Sequence, residues 1–122
     1  MQDVESSDPC SLPCPVETTV GVIGGKWKPV LLFHLVSGAK RYSELQRLVP
    51  DASDRMLTRS LRELETDKLV NRTVFAEVPV RVEYTLTNDG ETLFPILEAM
   101  SAWGQRRVDR DTDAKKSATT AA

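Results

Sequence analysis

The sequence predicts a mostly helical α+β fold, with helices gathered around one short β-hairpin. Three observations predict it. Stretches of helical apolar spacing, each bounded by capping and stop residues, occupy both halves of the chain. Two six-residue stretches, VNRTVF (70–75) and RVEYTL (81–86), alternate β-formers with polar residues, and Pro79 between them suits a turn. A length of 122 residues, 40% hydrophobic and 28% charged, fits one domain able to bury a real core.

Residues 1–13 are polar and acidic, broken by Pro9 and Pro13, and are expected to form a flexible arm. The first helix is predicted over Val16–Ile23: Pro15 suits a first helical position, and Gly24-Gly25 stops the helix. The second, about Trp27 to Val36, tolerates Pro29 only in its first turn, and its VLLFHL run is apolar nearly all round. A short third helix runs from Ser43, as cap, to Leu48 before Pro50. Ser53 then caps a fourth helix reaching Thr66. After the hairpin, Thr87 caps a last helix to about Gly104. The folded unit spans 14–107; beyond Val108 no large apolar residue remains, so 108–122 is expected to be a disordered tail.

Three helices closed by a hairpin, the second pair joined by a five-residue turn, make a winged helix-turn-helix with extra N- and C-terminal helices. Charge is distributed accordingly. Residues 26–86 hold 11 Lys/Arg against 8 Asp/Glu, or +3, while the rest hold 5 against 10, or −5, which returns the net −2. A mildly basic centre permits a DNA surface without establishing one. No apolar run is long enough for a membrane span, and the acidic start lacks a secretory leader pattern, so a cytoplasmic protein is expected.

The fourth helix carries the sharpest signal. Arg55, Arg59 and Arg62 stand at i, i+4, i+7 and fall within about 60° of one another. Leu57, Leu61 and Leu64 repeat the spacing on the opposite side. One face packs, and the other presents guanidiniums that can fork onto guanine or hold phosphate. Ser53, Met56 and Thr58 lie at the N-terminal end, which a recognition helix pushes deepest. Lys40, Arg41 and Ser43 suit phosphate contacts that position without reading sequence. Arg81, at the hairpin base, is the wing candidate. Local alternatives stay open: Arg59–Glu63 and Arg62–Glu65 pairs on the helix, Arg81 with Glu77 or Glu83, and simple loop charge for Lys40 and Arg41.

Cys10 and Cys14 cannot make a disulfide scaffold, and with His34 as the sole histidine they do not complete a four-ligand zinc site. No cofactor is called for. His34, inside an apolar run, reads as a core residue. Cys14 stands at a helix start, where unpaired N–H groups favour a thiolate, and Cys10 on the arm can resolve its oxidised form. An inert Cys14 beside an incidental Cys10 is the competing reading. Along the last helix Leu93, Leu97, Met100 and Trp103 recur at helical spacing, widened by Phe94 and Ile96. Val20, Val22 and Ile23 of the first helix can meet that stripe across a dimer, or the stripe packs on the hairpin within one chain.

CPVETTVGVIGGKW (14–27), RYSEL (41–45), MLTRSLRELETDKLV (56–70) and VPVRVEYTLTNDG (78–90) together strongly resemble the HxlR-type winged-helix transcriptional regulators. The resemblance covers about Cys14 to Gly104. It implies a homodimer joined through first and last helices, binding inverted-repeat operator DNA with the fourth helix in the major groove and the wing alongside. It also implies a sensing cysteine at the position of Cys14, with a small oxidant or electrophile as inducer. Two departures stand out. Lys68 occupies a position where many relatives carry Gly, and the second cysteine of some redox members is absent further along the chain, which leaves Cys10 alone. The function expected is therefore a sequence-specific DNA-binding repressor; the alternative is a winged-helix protein-interaction module that never meets DNA. An enzyme is not expected, because Cys14 has no catalytic base at hand.

Overall fold

The computed structural model describes the backbone over residues 14–121 and side chains over 14–115. The expected N-terminal arm, with Cys10, lies outside the described residues. The elements follow as α1 (Pro15–Ile23), α2 (Lys28–Leu35), β1 (Lys40–Arg41), α3 (Tyr42–Leu48), α4 (Asp54–Thr66), β2 (Val70–Phe75), β3 (Arg81–Leu86), α5 (Asn88–Glu91) and α6 (Phe94–Ala121). The mostly helical α+β class and the hairpin bounds are as the sequence predicts.

The core is a leucine cluster. Leu31, Leu32 and Leu35 of α2 meet Leu45 of α3 and Leu57, Leu61 and Leu64 of α4, all essentially without solvent contact. Each such burial contributes about 1.5–3 kcal/mol. Tyr84 of β3 and Leu97 of α6 close the cluster from the sheet and from the C-terminal helix. The i, i+4, i+7 leucines of α4 thus face inward as their spacing requires.

The sheet has three strands in the order β1-β3-β2, all antiparallel. The short β1 is missing from the sequence prediction: two residues, Lys40 and Arg41, pair with Tyr84 and Glu83. A two-residue strand has no alternation to detect. β2 and β3 pair from Val70↔Leu86 to Phe75↔Arg81.

Three boundaries differ from expectation. Ser43 does not cap α3: Arg41 occupies the N-cap position, and its N–H donates to the Glu44 carboxylate three residues on, at 2.8 Å. Ser43 instead lies exposed in the first helical turn. Thr87 caps only the one-turn α5, its Oγ1 accepting from Gly90 N–H at 2.9 Å, and the chain restarts as α6 at Phe94. Pro95 follows directly, in a first turn where its missing N–H is harmless. Lastly, α6 does not stop near Gly104 but is helical to Ala121, so the stretch expected to be a disordered tail continues the helix. After Gly104 its residues include Gln, Arg, Lys and Ala, strong helix formers, and no Pro or Gly.

Helix α4 ends in a left-handed residue. Lys68 has φ 61°, the only positive φ of a non-glycine among the described residues. Its N–H donates to Glu65 O at 2.9 Å and Leu69 N–H to Leu64 O at 3.0 Å, the two bonds of a Schellman stop. The position that favours glycine keeps its backbone geometry with a lysine side chain.

Candidate nucleic-acid interface

Ser53 starts α4: its Oγ accepts from Met56 N–H at 3.2 Å. With the leucines turned inward, Arg55, Met56, Arg59 and Arg62 are all exposed. Thr58 is half-buried beside them, and its Oγ1 lies 3.2 Å from the Tyr42 hydroxyl. Tyr42 Oη also donates to Asp54 O at 3.3 Å, and Gln46 Nε2 to Asp54 Oδ1 at 2.6 Å. Two residues of α3 thus pin the first turn of α4, which fixes how α4 projects. Neither was singled out from sequence; a polar residue facing a helix start eight or twelve positions away leaves no periodic signal.

Of the local pairings weighed on α4, one is present and one is absent. Arg59 Nε meets Glu63 Oε2 at 3.3 Å, yet the arginine side chain stays 74% exposed. Glu63 also accepts from Lys28 Nζ at 3.0 Å, and that lysine is largely buried. The Lys28 hydrogen bond, then that of Arg59, holds the Glu63 carboxyl below its ordinary pKa. The chain Lys28–Glu63–Arg59 ties the start of α2 to the exposed face of α4. Arg62 and Glu65 form no ion pair.

Around α4, Lys40 Nζ donates to Ser37 Oγ at 3.0 Å, while Arg41 and Ser43 are exposed. Arg81 takes up the pairing alternative in full. Its guanidinium meets Glu83 at 2.8 Å and Glu77 at 2.9 Å and lies 4.1 Å over the Phe75 ring. Two carboxylates thus already balance its charge. The wing tip beyond it, AEVPV (76–80), carries no cation, and Val78 is fully exposed. A cleft of about 520 Å³ between α4 and the sheet is lined by Thr58, Arg62, Glu65, Thr66, Arg72 and Tyr84. Arg72 was not among the sequence candidates.

Cys14 is the N-cap of α1 and is 2% exposed. It is disulfide-bonded, so the reactive thiol expected from its helix-start position does not exist in this state. His34 is half-buried rather than part of the core; burial, then the charge of Lys40, keeps its imidazole below the ordinary value. Among the described residues no cluster of His, Cys, Asp and Glu is arranged to hold a metal ion, and no helix is long and apolar enough to cross a membrane.

Between them, α1 and α6 leave apolar side chains in solvent. Val16 and Val20, with Ile96, Met100 and Trp103, are each more than 40% exposed. Most of them border a groove of about 450 Å³ between the two helices. Leu97 alone of the α6 stripe is buried, and Leu93 packs partly against the core, so the stripe divides into an inward edge and an outward one.

A three-stranded sheet on a helical trio, with a capped helix presenting arginines, defines a winged helix-turn-helix transcriptional regulator. Comparison with known proteins agrees. Residues 22–112 match the HxlR-like helix-turn-helix family, and the chain belongs to it. It is 52% identical over 97 residues to the HTH-type transcriptional regulator YdeP of Bacillus subtilis, covering 80% of this chain and 76% of YdeP. The redox regulator HypR in its oxidised form superposes with a TM-score of 0.74 at 52% identity, covering 76% of this chain and 96% of HypR. The HTH-type transcriptional regulator YtcD gives a TM-score of 0.73 at 50% identity, covering 78% and 97%. The protein is thus a transcriptional regulator with a DNA-binding helix-turn-helix domain.

Proposed function

We propose that the protein is a homodimeric repressor of inverted-repeat operator DNA. Helix α4 enters the major groove, Ser53, Arg55, Met56 and Thr58 meet base edges, and Arg59, Arg62, Lys40, Arg41 and Ser43 hold the flanking backbone. Arg81 serves the wing chiefly by bracing Glu77 and Glu83. Repression follows from size: a dimer this small acts by covering a promoter. The observation that carries the reading is the division of α4 into a buried leucine face and an exposed arginine face, on a helix pinned by Tyr42 and Gln46.

A mobility shift on the intergenic DNA beside the gene tests it. Affinity is expected to fall steeply with salt, and Arg59→Ala to weaken binding about tenfold while lowering the salt slope by about one per protomer. A protein that binds no duplex even at low salt, but captures an acidic polypeptide through the same face, is the interaction module instead.

Cys14 is the proposed input. Oxidation of two thiols to a disulfide gives two electrons and two protons to an oxidant such as a peroxide, which leaves as water. Cys10 is the resolving partner the sequence offers. The disulfide-bonded Cys14 and the likeness to HypR, a redox regulator solved in oxidised and reduced forms, support this. Because Cys14 starts α1, its oxidation shifts the helix that sets the spacing of two reading heads. Operator binding of Cys14→Ser that responds to peroxide as the native protein does ends the idea.

A further inference from the structure

We propose that Arg72 of β2 and Arg62 of α4 form a clamp for one DNA backbone phosphate, alongside the second half of α4 and behind its base-reading first turns. The inference rests on the DNA-binding reading above and adds a residue and a ligand atom to it.

Both arginines line the cleft between α4 and the sheet. Both are exposed, and among the described residues neither forms an ion pair. The cleft's threonine hydroxyls are already engaged, Thr66 Oγ1 donating to Arg62 O at 2.9 Å and Thr58 Oγ1 bonded to Tyr42 Oη. The two guanidiniums are therefore its strong donors, and two forks converging from different elements select an anionic oxygen over a neutral group. A helix seated in the major groove has a phosphate backbone along each flank. Arg72 stands opposite Tyr84 on the outer strand of the sheet, alongside the second half of α4 rather than its first turn. That places it against backbone, which positions without reading sequence. The wing's own cation, Arg81, is held by two carboxylates, so on this side of α4 the sheet's uncommitted cation is Arg72. One acid opposes the clamp: Glu65 lies in the same cleft, leaving two cations against one anion.

The test uses the full-length protein and an inverted-repeat duplex selected from random-sequence DNA. Arg72→Ala is expected to weaken selected and unrelated duplexes alike, by about tenfold or more, with the salt slope reduced by about one per protomer. Glu65→Gln should tighten both. Arg110→Ala, which removes the same charge from α6, should change neither. A duplex with one uncharged methylphosphonate at the clamped position in each half-site should bind native protein and Arg72→Ala equally. Inorganic phosphate at millimolar concentration should not compete, because the clamp is one contact of many. If native protein binds no duplex, the DNA reading itself falls and the clamp with it. If it binds and Arg72→Ala matches it in affinity and slope, with unchanged melting, the clamp alone is overturned. A loss confined to one base sequence makes Arg72 a base reader and also overturns the clamp.

Discussion

Lys68 shows how a single residue can obey the backbone and still cost stability. The Schellman stop after α4 demands positive φ, which Lys68 adopts at 61°. A side chain there costs about 1 kcal/mol relative to glycine. Lys68→Gly is therefore expected to raise stability by roughly 0.5–1 kcal/mol, read as a higher urea midpoint at unchanged slope. DNA affinity should change little beyond the loss of one exposed charge. The position was visible in the sequence because a helix end was expected there. The arginine row of α4 was visible for a similar reason: spacing within one helix fixes direction. Arg72, Tyr42 and Lys28 were not visible, since each acts across elements and its partner stands far away in sequence. The pairing of Arg81 is one of two readings the sequence leaves open; the folded hairpin brings both Glu77 and Glu83 onto its guanidinium.

The elements were legible where a local rule governed them. Cap Ser53, the hairpin strands and the Gly24-Gly25 stop all act within a few residues. Where tertiary pairing decides, as in the two-residue β1, or where a one-turn helix runs into a longer one with only two residues between, as α5 into α6, the pattern alone does not mark the break. The junction of α3 and α4 is the element that matters most for reading DNA, because it sets the angle of α4. Tyr42 holds it through Asp54 O and Thr58. Tyr42→Phe keeps the ring and removes both bonds, so a loss of about 1 kcal/mol in stability is expected. Operator affinity should fall further than affinity for unrelated DNA, since base contacts need the angle and phosphate contacts tolerate its loss. Equal losses for both duplexes would show that Tyr42 stabilises the fold without aiming the helix.

The protomer as a whole has two unlike surfaces. One carries the arginines of α4 and β2, and the other the uncovered valines of α1 and the outer edge of α6. The groove between the two helices is bordered by Val16, Val20, Ile96 and Met100, apolar side chains left exposed side by side, the kind of surface another chain can cover. A second copy placing the same groove against it closes both at once, as a two-fold interface requires. In the proposed dimer the pair presents two α4 helices, and its symmetry would call for an inverted repeat with half-sites roughly 34 Å apart. Met100 lines the groove and is 46% exposed in the protomer, so Met100→Glu should leave each chain folded while burying an unpaired carboxylate in the dimer. An unpaired charge there costs several kcal/mol, enough to dissociate the pair at micromolar concentration. Sedimentation should show a mass falling from twice 13.6 kDa to 13.6 kDa. Operator binding should fall by more than a hundredfold, because each half-site then binds alone. Weak, salt-sensitive binding to unrelated duplex should survive, since each protomer keeps its arginines. A Met100→Glu protein that stays dimeric would move the interface elsewhere on the molecule, and with it the expected half-site spacing.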